Sequence, residues 1–183
     1  MGTLIIGYSG RARHGKTEAC EATIAAASSD GYTARLYDIG AMILRYCKEQ
    51  GLLAPDIERK ELNKDQLQLL IDVGKQQRSV DAEFWIGQAI RAIKEDAPDV
   101  ALCPNLRYGN EAGLWRAEGG YVVRLTRLNS NGSVYISPDR PANDPSETEL
   151  EFWPADFYIT TKEGQERLLR QQAVTLYRYL REH

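Results

Sequence analysis

No apolar run in this chain of 183 residues approaches the ~20 residues that a membrane helix needs. Its first residues carry no basic stretch ahead of an apolar core, as a secretory leader would. Both absences lead to the expectation of a cytoplasmic protein with no membrane partner. Cysteine is scarce. Cys20, Cys47 and Cys103 are odd in number and far apart, there is no C-x-x-C, and the chain has only two histidines. This argues against structural zinc and a disulfide framework, and for thiols that serve as small buried hydrophobes. Internal repeats, low-complexity tracts and breaks in composition are all missing, so residues 1–183 are read as one domain with a good core. A net charge of −3 weighs weakly against a general nucleic-acid binder, because a local basic cleft can sit on an acidic protein. With 43% hydrophobic and 27% charged residues, the composition is that of an ordinary globular chain.

What the chain does have stands near its beginning. The apolar run Leu4-Ile5-Ile6 leads into Gly10-Arg11-Ala12-Arg13-His14-Gly15-Lys16-Thr17, and an Ala- and Glu-rich helical segment follows. Gly-x-x-x-x-Gly-Lys-Thr between a strand and a helix is the pattern of a phosphate-binding loop. Glycine at both ends lets the backbone turn so that successive N–H groups face a polyphosphate. Lys16 reaches the β- and γ-phosphates, the Thr17 hydroxyl ligates Mg²⁺, and the helix N-terminus points at the same anion. Gly10, Arg11, Ala12, Arg13, His14, Gly15, Lys16, Thr17 and Glu18 are therefore the expected contacts of ATP, with Thr17 for the metal. The His14 side chain is expected to face solvent.

Downstream, hydrophobic periodicity gives a strand over 34–39, a helix with Ile43, Leu44 and Cys47, and a break at 51–55. A helix from Lys64 sets Leu67, Leu70, Ile71 and Val73 on one face. Ser79 or Asp81 caps the next helix, which carries Phe84, Trp85, Ile86, Ala89, Ile90 and Ile93. Further strands are expected over 99–103, 121–126 and 155–160, with a short helix at 110–118 and a terminal one at 163–181. Residues 129–145 form a long polar loop with room for a hairpin at Asn131-Gly132. Strands alternating with helices mean an α/β protein, a three-layer α/β/α fold around a mostly parallel five-stranded sheet.

Several later stretches carry a resemblance. These are Pro104-Asn105-Leu106-Arg107 followed by Asn110-Glu111, then Gly119-Gly120 with Val122-Val123-Arg124 and Arg127. Gly74 to Arg78 with Asp81-Ala82-Glu83-Phe84-Trp85, Asp144-Pro145-Ser146-Glu147, and Asp156 to Ile159 complete the series. In this order they resemble the phage deoxynucleoside monophosphate kinases, a branch of the adenylate-kinase-like P-loop kinases. The resemblance implies a nucleotide kinase using ATP and Mg²⁺, an acceptor-binding helical segment at about 40–95, a lid-like loop at about 128–150, and the host cytoplasm. Two positions depart from the family pattern. Asn105 stands where it has Asp, and Asp144 where it has His. Asn105 ends a buried strand at the carboxyl edge, so it is read as facing the nucleotide cleft and tuning it.

On this reading Lys16, Arg107 and Arg127 are the catalytic candidates, while Asp38, Arg78, Asp81, Trp85 and Arg124 are candidates for the acceptor site. The plainer readings stand beside them. Arg78 could be a solvated helix residue, Trp85 has the helical spacing of a core residue, either Arg124 or Arg127 reaches phosphate, and Glu147 either caps a helix or touches ligand. The activity expected is phosphorylation of a (deoxy)nucleoside monophosphate. One alternative is a kinase for a hydroxymethylated base (5-hydroxymethyluracil) in phage DNA, with a carboxylate base such as Asp38, Asp81 or Asp144. Another is a nucleotide-binding switch protein without acceptor kinase activity. The sequence is also compatible with a homodimer.

Overall fold

The computed structural model describes residues 2–138 and 141–183. Five strands form one parallel sheet in the order β2-β3-β1-β4-β5. They are β1 (Leu4–Ser9), β2 (Ala34–Leu36), β3 (Val100–Leu106), β4 (Tyr121–Leu128) and β5 (Phe157–Lys162). Seven α-helices join them among the described residues: α1 (Lys16–Ser29), α2 (Ile39–Glu49), α3 (Lys64–Val80), α4 (Phe84–Asp96), α5 (Gly109–Ala117), α6 (Pro145–Thr148) and α7 (Glu166–Glu182).

Side chains alternate across a strand, and β3 uses both sides. Ala101 and Cys103 pack with Ile43, Leu44, Trp85, Ile86 and Trp115 from the helices of one face. Val100 and Leu102 pack with Ala19, Cys20, Leu169 and Tyr177 from α1 and α7 on the other. This makes the sheet the middle of three layers and explains why β3 reads as a continuous apolar run. The three thiols are free and buried. Burial pushes Cys20, Cys47 and Cys103 above the usual thiol range, so they are inert hydrophobes rather than nucleophiles.

Pro104 inside an interior strand needs a reason, because it cannot donate to the sheet. The pairing supplies one: Gly7 opposes Cys103 while Ser9 opposes Leu106, so the register shifts around Pro104. That irregularity turns Asn105 toward the start of α2.

Several boundaries differ from the sequence reading. β2 ends at Leu36, because Asp38 leaves the sheet to cap α2 and accepts the Ala41 N–H at 3.1 Å. Ser79 is not a cap. It lies in the last turn of α3, its hydroxyl donating to the Gln76 carbonyl at 2.7 Å. Asp81 closes α3 and accepts the Glu83 N–H at 2.9 Å, leading the chain into α4. The buried face of α3 runs through Leu70, Val73 and Gly74, whereas Leu67 and Ile71 are 40% and 37% exposed. β5 starts two residues later than its pattern suggested, and α7 begins at Glu166. The polar loop after β4 holds the expected hairpin, with Leu128 bridged to Val134, and Asn129 donating its N–H to the Ser133 carbonyl at 2.8 Å. Residues 139–140 of that loop lie outside the described part. Beyond them it folds into α6, capped by Asp144, which accepts both the N–H and the hydroxyl of Ser146.

Among the described residues, no helix is long and apolar enough to cross a membrane.

Candidate functional site: a phosphate loop closed by a carboxylate

The loop between β1 and α1 holds three residues with positive φ: Gly10 at 138°, Arg13 at 63° and Gly15 at 84°. Positive φ favours glycine at both ends, and at Gly10 a backbone neighbour adds a demand on space. A Cβ at Gly10 would lie 2.4 Å from the Leu125 carbonyl oxygen, and one at Gly15 would lie 2.2 Å from Leu169 Cδ2. Gly15 is the residue before α1 and offers no side-chain cap, and the N-terminus of a helix is a favourable place for an anion. Lys16 folds back over the loop and donates to the Gly10 carbonyl at 2.6 Å and the Arg11 carbonyl at 2.7 Å. Thr17 is exposed beside it. Glu18 pairs with Arg170 of α7.

The loop already holds an anion, which comes from the chain itself. One oxygen of the Glu147 carboxylate accepts the Ala12 N–H, and the other receives Arg107 NH1 at 2.8 Å. Arg107 NH1 also donates to the Ser146 carbonyl at 3.0 Å. Arg11 closes the same side, donating to the Ala142 carbonyl at 2.8 Å and to Glu151 Oε2 at 3.0 Å. The Glu147 side chain is 5% exposed. Burial alone would raise its pKa, but the Ala12 N–H, the Arg107 guanidinium and the Lys16 charge outweigh burial and hold it below the usual glutamate range. Glu147 is therefore a carboxylate at neutral pH.

The His14 ring does not face solvent, contrary to the sequence expectation. It is 4% exposed, with Nδ1 at 3.1 Å from the Leu125 carbonyl oxygen and Nε2 at 2.9 Å from that of Tyr135. The reason lies in Arg13. Its left-handed backbone turns the next side chain under the loop, toward the end of β4 and the hairpin. Burial pushes the ring below the usual histidine range. The two carbonyls pull against that, while Lys16 and Arg11 add to it. A neutral ring donates to only one of the two oxygens.

On the β2–β3 side, Arg78 of α3 donates through Nε and NH2 to Glu111 Oε1, at 3.0 and 2.8 Å. Its NH1 donates to the Gly74 carbonyl at 3.2 Å, and the guanidinium lies 4.8 Å above the Tyr108 ring. It is thus a fixed group and not a solvated one. Glu111 is fully buried, and its second oxygen accepts the Arg107 N–H at 3.0 Å. One carboxylate thereby ties Arg78 to the segment that carries Arg107. Nearby, Asn105 Nδ2 donates to Asp38 Oδ1 at 2.8 Å and Asn105 Oδ1 accepts the Ile39 N–H at 3.2 Å. Asn105 thus joins the end of β3 to the start of α2, where the sequence reading had it tuning the nucleotide cleft.

Of the remaining candidates, Arg124 lines one cleft with Gly10, Arg11, Arg107 and Glu147, and the others lie apart from it. Trp85 is fully buried, edge-on to Tyr46 and Phe84, with Nε1 donating to the Gly74 carbonyl at 3.1 Å, so it has no face for a base. Asp81 is an exposed helix end. Arg124 is buried in the wall of the cleft, donating to Ser9 Oγ at 3.1 Å and to the Glu151 carbonyl at 2.7 Å. Arg127 lies on the opposite side of the loop, over the Tyr135 ring at 4.6 Å and 3.3 Å from Glu163. There it lines a second cleft with Arg13, Gly15, Thr161 and Lys162.

Sequence reasoning gave Glu111 no role of its own and left Glu147 between a cap and a ligand contact. The only signal for either was an acid inside a motif, because burial and pairing are not written locally.

No protein-family model and no curated protein matches this chain. Among solved structures, the APS kinase CysC of Mycobacterium tuberculosis, in a cysteine-to-alanine mutant, is similar with a TM-score of 0.55. The identity is 14%, over 100% of this chain and 99% of that one. At that identity the likeness is one of fold alone, an α/β fold with a parallel five-stranded sheet and the Gly10–Thr17 loop between its first strand and first helix.

Proposed function

We propose that this chain is an ATP-dependent phosphotransferase whose acceptor is a (deoxy)nucleoside monophosphate. The observation that supports it most is the Glu147 carboxylate, seated on the Ala12 amide and clamped by Arg107. A carboxylate oxygen there stands in for a phosphate oxygen, so loop and guanidinium together fit the anion that a kinase must hold. Phosphoryl transfer through a loose transition state asks for positioning and charge neutralisation more than for covalent chemistry. Lys16 would turn from its own loop carbonyls to the β- and γ-phosphates. Mg²⁺, which neutralises phosphate charge when bound, would be held by the exposed Thr17 hydroxyl together with phosphate oxygens. The base of ATP fits the second cleft, between Arg127 and the Thr161–Lys162 end of β5.

Arg107, released from Glu147, would cover the transferring phosphoryl group. Arg78 is oriented by Glu111 and stacked on Tyr108, with its charge at the carboxyl edge of the sheet, where ligands of open α/β sheets bind. It suits the acceptor phosphate, whose oxygen takes the γ-phosphoryl group as ADP leaves. A phosphate acceptor is already an anion and needs no strong base.

The test is γ-labelled ATP incubated with a panel of mononucleotides, nucleosides and hydroxymethyluracil-containing DNA. Label in a nucleoside diphosphate is the expected result. Label in the modified DNA alone would give the function to base phosphorylation. Label only in free phosphate would make the protein a hydrolysing switch.

A further inference from the structure

The contact between Glu147 and the phosphate loop does more than mark an anion site. It joins the loop to the segment after the hairpin at three places: Ala12 N–H to Glu147, Arg11 NH1 to the Ala142 carbonyl, and Arg11 NH2 to Glu151. These three use a loop amide and the Arg11 guanidinium, and a fourth contact ties Glu147 to the Arg107 guanidinium, all of them groups that a polyphosphate would use.

We infer that Glu147 is an internal competitor for the polyphosphate site, an autoinhibitory latch that the donor nucleotide must expel, releasing Arg107 to the transferring phosphate as it leaves. The inference rests on the nucleotide-site reading above. Geometry carries it. A single loop amide cannot serve the carboxylate and a phosphate oxygen together, and one guanidinium edge cannot stay bonded to Glu147 while it covers a γ-phosphate. The latch is an exchange of one anion for another, so the loop amide and Arg107 are never left without one. Its role is to keep Arg107 neutralised, and the amide satisfied, until a ligand with more negative charge arrives. Apparent affinity for the donor is then reduced by the fraction of molecules in which the latch is open.

Removing the carboxylate should therefore tighten anion binding. The experiment is calorimetric titration of the parent, Glu147→Ala and Glu147→Gln with ATP and Mg²⁺, with pyrophosphate and Mg²⁺, and with adenosine, after thermal melts have shown each variant folded. Glu147→Ala should bind both ATP and pyrophosphate about tenfold or more tighter than the parent, the scale of losing a charged hydrogen bond. Glu147→Gln keeps the shape without the charge and should gain less. Adenosine carries no anion to compete with Glu147, so its affinity should not change.

Unchanged or weaker binding of ATP and pyrophosphate to folded Glu147→Ala would overturn the latch. So would an equal gain for adenosine, since that would mean a generally opened cleft. If parent and variants alike bind neither ATP nor pyrophosphate, the nucleotide-site reading fails and the latch with it. Binding by the parent with no gain in either variant removes the latch alone.

Discussion

Arg78 and Glu111 are joined by two hydrogen bonds to a single oxygen, guanidinium Nε and NH2 to Oε1 at 3.0 and 2.8 Å, with the carboxylate fully buried. Glu111 gives its other oxygen to the backbone of Arg107. The residue that fixes Arg78 thus also fixes the segment that carries Arg107.

The first prediction follows from that pair. Glu111→Ala strands the Arg78 charge and the Arg107 N–H, and should destabilise the fold by about 3 kcal/mol, as breaking a buried pair does. If Arg78 holds the acceptor phosphate as proposed, Arg78→Ala should raise the KM for the acceptor far more than that for ATP. Thermal melts and initial-rate kinetics measure these. Equal changes in both KM values would return Arg78 to a purely structural role.

Lys16 donates to two carbonyls of its own loop, at 2.6 and 2.7 Å, and these bonds hold its ammonium group over the loop. Lys16→Ala should leave the fold intact and lower kcat by about 10²–10³, the usual loss of an electrostatic group at a transferring phosphate. A folded variant that keeps half the parent activity would remove the phosphate loop from the chemistry.

His14 gives a pH prediction. Burial holds its folded pKa below the ordinary 6.5, so between that value and the folded pKa the unfolded chain binds more protons than the native one. Stability is complete above pH 6.5 and falls as pH drops through this window. Melting temperatures of the parent should decline from pH 6.5 toward pH ~5, and those of His14→Asn should decline less. Glu147, also held below its ordinary 4.5, contributes in the same direction as pH falls below that value. Parallel curves for parent and variant above pH ~5 would show that His14 does not titrate as described.

Asn105→Asp would put a second carboxylate within 2.8 Å of Asp38 Oδ1, where an amide now donates. Like charges that close cannot both ionise without cost. The variant should lose about 1–2 kcal/mol at pH 7, from repulsion and the weakened start of α2, and recover much of it in acid. Guanidinium melts at pH 7 and pH ~4.5 measure the difference. An equal loss at both values would mean that shape, not charge, is what Asn105 supplies.

The tight glycine loop between β1 and α1 was legible in sequence because its requirements are local. Gly10 and Gly15 answer steric demands of a few neighbouring atoms, and Lys16 and Thr17 follow at fixed spacing on the first turn of a helix. The parallel three-layer fold was legible for a similar reason, since β3 reads as unbroken apolar chain and the helices as 3.6-residue stripes. Even there, short-range reading slipped where a neighbour decided the matter. The face of α3 kept Leu70 and Val73 but took in Gly74 in place of Leu67 and Ile71, because it packs across α2 and α4, and β2 stopped short because Asp38 was taken by the cap of α2. What only the tertiary structure decided are the partners across the chain. Glu147 meets Ala12 over 135 positions, His14 meets Leu125 over 111, and Arg78 meets Glu111 over 33. A residue's type states which hydrogen bonds it can make. Which of them it does make depends on what the folded chain carries to within about 3 Å of it, and no window of sequence holds that distance.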